Sequence, residues 1–188
     1  GLFAGYGEDG FTPNEFDITD LLHDGENVVA VACYEYSSAS WLEDQDFWRL
    51  HGLFRSVELA AQPHVHVENM QLEADWDAES DTASLDAALS VRNASDAATI
   101  SATLKDSEGN VIWETSTNAD ANTTIASGSL QGLEPWSAEN PSLYELEVNI
   151  IDQAGNIVET AVQKVGFRRF RIENGIMTLN GKRIVFKG

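Results

Sequence analysis

Cysteine occurs once in the 188 residues, at position 33, proline only four times, and 11 basic residues face 31 acidic ones. Each scarcity excludes something. A single thiol cannot close an intrachain disulfide, and it argues against a cysteine-based zinc cluster. The formal net charge of −20 and pI near 4.2 remove the electrostatic grip that nucleic acid and anionic lipid require, because phosphate binding rests on clustered Lys and Arg. A neutral sugar or a cation remains compatible. No apolar run approaches the roughly 18 residues needed to span a bilayer, and the first residues lack the basic, apolar and small-residue pattern of a signal peptide. No membrane or nucleic-acid partner is therefore expected. What is present, 43% hydrophobic residues with 9% aromatics, is enough to bury a core.

Charge is unevenly placed. Residues 164–188 hold seven basic side chains against Glu173 alone, a net of +6, which leaves −26 for the preceding residues. That shift marks a boundary. Before it, residues 28–34 (Val28-Val29-Ala30-Val31-Ala32-Cys33-Tyr34) read as a buried strand that encloses an inert thiol, and Thr19 reads as the cap of one helical turn. Ser56-Val57-Glu58-Leu59 alternates as a short strand. From Pro63 the texture becomes regular: His64 to Val67, Leu85 to Arg92, Thr99 to Leu104 and Tyr144 to Ile150 each alternate apolar and polar residues, as half-buried antiparallel strands do. Glu108-Gly109-Asn110 and Ala154-Gly155-Asn156 supply turns at sandwich spacing. Two Asn-Gly pairs, at 174–175 and 180–181, stand between alternating residues, the strongest short-range hairpin signal. No stretch carries a long helical period.

The densest chemistry lies at residues 41–55, W-L-E-D-Q-D-F-W-R-L-H-G-L-F-R. Glu43, Asp44 and Asp46 crowd three like charges that need an arginine, a cation or solvent to offset their repulsion, and Arg49 and Arg55 are the nearest candidates. Neither face of a strand here would be cleanly apolar, so the segment reads as an ordered loop. A helix-loop-helix calcium loop starting at Asp44 fails, since it needs Gly where Arg49 stands and Glu where Arg55 stands.

Several stretches together resemble the family 2 glycoside hydrolases, and within them the bacterial β-galactosidases. They are Gly5-Tyr6-Gly7 with Pro13, Glu15-Phe16-Asp17 and Gly25-Glu26-Asn27; Leu42-Glu43-Asp44-Gln45-Asp46 with Trp48-Arg49, Gly52 and Phe54-Arg55; Trp136-Ser137-Ala138-Glu139-Asn140-Pro141 with Leu143-Tyr144; and Val165-Gly166-Phe167-Arg168, Arg171-Ile172-Glu173-Asn174-Gly175 and Leu179-Asn180-Gly181-Lys182. Residues 64–130 fit in texture only. The resemblance implies an all-β chain: residues 1–60 as the later part of a sugar-binding (galactose-binding-like) jelly roll, 61–167 as an immunoglobulin-like β-sandwich, and 168–188 as a hairpin leading to a (β/α)8 catalytic barrel beyond the sequence. It implies membership of an enzyme that hydrolyses terminal β-D-galactose residues with retention, using two carboxylates about 5–5.5 Å apart that belong to the barrel. These residues alone would hydrolyse nothing.

The same resemblance assigns Asp46 to the substrate pocket, where its carboxylate would contact a sodium ion and a galactosyl hydroxyl. Glu43, Asp44, Trp48 and Arg49 become the scaffold of that loop. The intact enzyme would take Mg2+ and Na+, with none bound by these residues alone, and would be a homo-oligomer of the bacterial cytoplasm. A partial jelly roll leaves strand edges and apolar faces uncovered, which predicts self-association through residues 1–60. Alternatives are a stand-alone carbohydrate-binding or structural β-sandwich module, or part of a related β-glucuronidase or β-mannosidase.

Other candidates have blander readings. Trp41 could stack on a sugar, but core packing is preferred. His64 and His66 stand at strand spacing and lack a third ligand, so they read as solvent-facing. His23 and His51 carry no partner signal. Asn93-Ala94-Ser95 and Asn122-Thr123-Thr124 match the glycosylation pattern yet read as loop residues, and Lys182 and Arg183 as the flank of a hairpin turn.

Overall fold

The computed structural model describes residues 1–9, 11–42 and 52–186, and the chain divides into two compact units, Gly1–Ala60 and Ala61–Gly188.

The first unit holds two single-turn 3₁₀ helices, Thr19–Leu21 and Ala39–Trp41, and no strand among its described residues. It is tied together by polar side chains. Asp9 accepts from the Phe11 and Thr12 amides at 2.8 and 3.1 Å, and Arg55 Nη1 donates to the Phe11 carbonyl at 3.0 Å. Asn27 and His23 clamp the turn at Gly25, with Asn27 Nδ2 donating to the His23 carbonyl at 2.7 Å. Three expectations are corrected here. Residues 28–34 form no strand, because a strand exists only by pairing and no described segment supplies its ladder; Val28, Val29, Val31 and Cys33 are exposed. Residues 56–59 likewise stay unpaired. At the first helical turn the side-chain acceptor is not Thr19 but Asp17, whose Oδ1 takes the Thr19 amide at 3.0 Å.

The second unit is a β-sandwich. One sheet is built from β1 (His66–Asp77), β2 (Thr82–Arg92) and β5 (Asn122–Ala126), with the short β6 (Leu130–Gln131) also on β2. The other orders β4 (Val111–Asn118), β3 (Ala97–Lys105), β7 (Tyr144–Asp152) and β8 (Ile157–Val165) as β4-β3-β7-β8. All pairs are antiparallel. Seven principal strands divided three and four between two sheets give the immunoglobulin-like architecture.

Alternation decides which faces meet. Ala83, Leu85, Ala87, Leu89 and Val91 of β2 point inward, opposite Ile100, Ala102 and Leu104 of β3 and Leu146, Val148 and Ile150 of β7, all buried. Small alanines interleave with large branched side chains, so the two faces interdigitate. Tyr144, the first residue of β7, reaches back ten positions: the Glu134 amide donates to its hydroxyl at 2.7 Å. Its ring meets Phe167 edge-on, centroids 5.4 Å apart at 68°. This is the tyrosine corner of such sandwiches, which pins the loop before the strand. Two hairpins turn through the same five-residue device. Asp106 Oδ1 accepts the amides of Glu108 and Asn110, both at 2.9 Å, while Asp152 Oδ1 accepts those of Ala154 and Asn156, both at 2.8 Å. Gly109 and Gly155, at φ +87° and +85°, supply the left-handed residue each loop requires.

Beyond the sandwich, β9 (Phe170–Glu173), β10 (Ile176–Leu179) and β11 (Lys182–Arg183) form a separate meander. Asn174-Gly175 and Asn180-Gly181 are its two loops, with positive φ at all four residues (51°, 77°, 50° and 75°). That is the two-residue type I′ hairpin, whose twist matches the flanking strands. The sequence signal for a hairpin is met twice.

Leu146→Ala should lower unfolding free energy by about 2–5 kcal/mol, since the site is fully enclosed. Tyr144→Phe should cost about 1–3 kcal/mol by orphaning the Glu134 amide. Val162→Ala, on an exposed position of β8, should stay within about 0.5 kcal/mol. Urea midpoints of the three variants check this ranking.

Candidate functional site

Among the described residues the richest convergence lies where the sandwich meets the three-stranded meander, inside the second unit. Phe167, fully buried, carries its carbonyl out to accept the Trp136 amide at 2.8 Å. Gly166 lies under the same indole: a Cβ there would sit 3.0–3.1 Å from three Trp136 side-chain atoms, so a larger residue would push the indole away by a few tenths of an ångström. Arg168 lays its guanidinium 4.7 Å from the indole centroid, a cation–π contact.

Asn180 joins the meander to this point from three atoms. Its amide donates to the Arg169 carbonyl at 2.8 Å, its Oδ1 accepts the Arg169 amide at 2.9 Å, and its Nδ2 donates to the Trp136 carbonyl at 3.0 Å. The Arg169 side chain then crosses to the outer face of β1. Nε donates to both Asp75 oxygens at 2.8 and 3.0 Å, Nη2 bonds Asp75 as well, and Nη1 reaches Asp77 Oδ2 at 2.9 Å. Asp75 and Asp77 share that face because strand residues two apart point the same way. One guanidinium fork thus serves two carboxylates, a geometry lysine cannot copy.

The electrostatics follow. Hydrogen bonds from Arg169 hold the Asp77 carboxyl down at about 2, helped by the Glu79 and Ser80 amides, and lower Asp75 by the same cause. The guanidinium is correspondingly harder to deprotonate. All three side chains are partly exposed, so solvent screens the attraction and its contribution to stability is modest. The cluster keeps one net negative charge, but its carboxylates are hydrogen-bonded to the guanidinium, which suits anchoring rather than base or nucleophile chemistry.

The residues assigned to the sugar pocket, Glu43, Asp44, Asp46, Trp48 and Arg49, lie outside the described residues, as does His51. Trp41 is 85% exposed, which corrects the preference for core packing. His64 and His66 do not converge: His64 Nε2 faces Asp96 at 3.4 Å, while His66 Nδ1 bonds the Pro63 carbonyl at 2.7 Å. Asn93 takes a left-handed conformation and ties its Nδ2 to the His64 carbonyl at 2.8 Å; Asn122 lies on β5. Among the described residues no group of three His, Cys, Asp or Glu side chains is placed to hold a metal ion. A shallow groove of about 130 Å³ on the outer face of β1, β2 and β5 is lined by Asn69, Gln71, Ala88, Ser90, Asn122 and Thr124, all uncharged. Sequence reasoning missed the Arg169 anchor. The period-2 spacing of Asp75 and Asp77 was visible; a partner 92 residues away was not.

Residues 65–168 match the family described as "Glycosyl hydrolases family 2", and residues 1–63 its "sugar binding domain". The chain belongs to family 2 of the glycosyl hydrolases. It is 59% identical over its whole length to the β-galactosidase BgaC of Bifidobacterium adolescentis and 48% identical to the β-galactosidase of Streptococcus thermophilus. It spans 19% and 18% of those two proteins. Among solved structures, apo β-glucuronidase 3 of Bacteroides uniformis covers 77% of the chain at TM-score 0.66 and 29% identity, and the chain covers 18% of it. A β-glucuronidase of Ruminococcus gnavus, at 21% identity and TM-score 0.55 over 67% of the chain and 20% of its own, shares the fold. The family segments at Trp136, Gly166–Arg168 and Asn180 are the ones that meet in space. Among the described residues there is no α-helix, and so no element of a (β/α)8 barrel.

Asp77 is depressed in the fold, so its contribution is complete above the ordinary value of 3.8 and is lost as pH falls toward about 2. Urea stability should therefore decline across that window. Arg169→Gln should flatten the decline, and Gly166→Ala should displace the indole and weaken its near-ultraviolet circular dichroism band.

Proposed function

We propose that this family 2 chain is the non-catalytic part of a β-galactosidase that hydrolyses terminal, non-reducing β-D-galactose residues with retention of configuration. The observation that carries the proposal is identity of 59% and 48% across the entire chain to proteins named β-galactosidase. The β-glucuronidase reading draws on solved structures at lower identity, and is the second choice for that reason.

The domain reading is a jelly-roll part at 1–60, a sandwich at 61–167 and a lead-in at 168–188. Within it, residues 61–188 act by holding: the sandwich is the rigid body, and the Arg169, Asn180 and Trp136 contacts set the direction of the strand that carries the chain onward. Asp46 would act by contact. A carboxylate both accepts a sugar O–H bond and ligates a hard cation such as Na+, and Glu43, Asp44, Trp48 and Arg49 would shape its loop. The described residues supply no ligand set for Mg2+ or Na+, so no step is routed through either. The intact enzyme is proposed to be a cytoplasmic homo-oligomer acting on β-galactosides. No helix among the described residues is long and apolar enough to cross a membrane. Exposed Leu2, Phe3, Val28, Val29 and Trp41 support self-association through residues 1–60.

The 188-residue chain, repurified to constant composition, should release no nitrophenol from a nitrophenyl β-galactoside; sustained release would end the non-catalytic reading. In the galactosidase carrying this chain, Asp46→Ala should cut kcat/KM by roughly 10- to 100-fold, the worth of a charge-assisted hydrogen bond, with little change in melting temperature. Unchanged turnover would return Asp46 to the scaffold. Light scattering of the 188-residue chain should show concentration-dependent association that disappears when residues 1–60 are removed.

A further inference from the structure

Asparagine precedes glycine twice in the sequence, at 174–175 and 180–181, and both pairs fold into the same two-residue turn with nearly equal φ angles. Their side chains fare differently. Asn180 is half-buried, with Oδ1 accepting the Arg169 amide at 2.9 Å and Nδ2 donating to the Trp136 carbonyl at 3.0 Å. Asn174 is exposed at the tip between β9 and β10, and its side chain has no hydrogen-bond partner among the described residues. A side-chain amide beside glycine meets the least steric resistance to attack by the next main-chain nitrogen, since no Cβ stands in the way.

We propose that Asn174 is a site of spontaneous covalent modification, deamidation through a cyclic imide, and that the fold protects Asn180 from the same reaction. The Gly175 main-chain nitrogen attacks Asn174 Cγ; a C–N bond forms, the nitrogen gives up its proton, and the side-chain amide departs as ammonia. Water then opens the ring at either carbonyl, leaving aspartate or isoaspartate. One water is consumed and one ammonia released, and no oxidant or cofactor takes part. At Asn180 the same attack requires Cγ to turn away from two hydrogen-bond partners that also carry the Trp136 and Arg169 main chain.

The products differ in consequence. Aspartate keeps the turn, because Asp tolerates the left-handed conformation, but sets a second negative charge beside Glu173. Isoaspartate routes the main chain through the side-chain carbon and lengthens the loop by one methylene. A two-residue loop fixes the strand register, so the Glu173–Ile176 closing pair loosens first.

The 188-residue chain, held folded at mildly alkaline pH and sampled over days, is digested and mapped by mass spectrometry with separation of the aspartyl and isoaspartyl forms. Conversion at Asn174 should outpace that at Asn180 by about tenfold or more, given two hydrogen bonds to break at Asn180. In concentrated urea the two rates should become comparable, which assigns the difference to the fold. Asn174→Gly, a residue that keeps the turn, should abolish the faster product and leave the slow conversion at Asn180 unchanged. Equal rates in the folded chain, faster conversion at Asn180, or an unaltered rate ratio in urea would each overturn the proposal.

Discussion

Phe167 is the point through which the second unit is held. Its ring is fully enclosed between the sheets against Tyr144, while its main chain leaves the core to pair with Trp136. Burying a phenylalanine contributes about 1.5–3 kcal/mol, and here the same residue also fixes where the chain emerges. Every contact that follows, Arg168 on the indole, Arg169 on β1 and Asn180 back to Trp136, is within reach because that exit point does not move.

The anchor works by division of labour. Apolar burial supplies energy without direction, whereas the guanidinium fork and the asparagine amide supply direction with little energy. Asp75 and Asp77 are polar residues on a solvated face, so their pairing with Arg169 avoids the large desolvation cost of a buried ion pair. Among the described residues, the acidic sandwich and the basic tail are joined by ion pairs at Arg169, just past the charge boundary seen in the sequence.

Much of this was legible from residues alone. Strict alternation over residues 85–92, 99–104 and 144–150 named strands that the structure contains, and the two Asn-Gly pairs named both turns of the meander. Strands β4 and β8 were harder, since their exposed sheet positions carry threonine, glutamine and glutamate without a clean apolar row. The apolar run at 28–34 misled in the opposite direction. Hydrophobicity measures what a segment would gain from cover, and a strand forms only when another segment supplies its hydrogen bonds. Cys33, inside that run, is exposed for the same reason. Of the site, the sequence displayed each family segment separately; their meeting around Gly166 and Trp136 depends on topology that no local pattern encodes.

The rims of the four-stranded sheet carry a further consequence. At β8 the Glu159 carboxylate bends across to accept the Val67 amide of β1 at 2.6 Å, stitching one flank of the sandwich shut. At the other edge no further strand pairs with β4 among the described residues, and exposed Glu114 stands in mid-strand where a neighbouring sheet would have to approach. Extending the sheet there would strip water from a carboxylate that no arriving strand is bound to neutralise. The sandwich is thus guarded along both rims against lateral growth, by a stitch on one and a charge on the other.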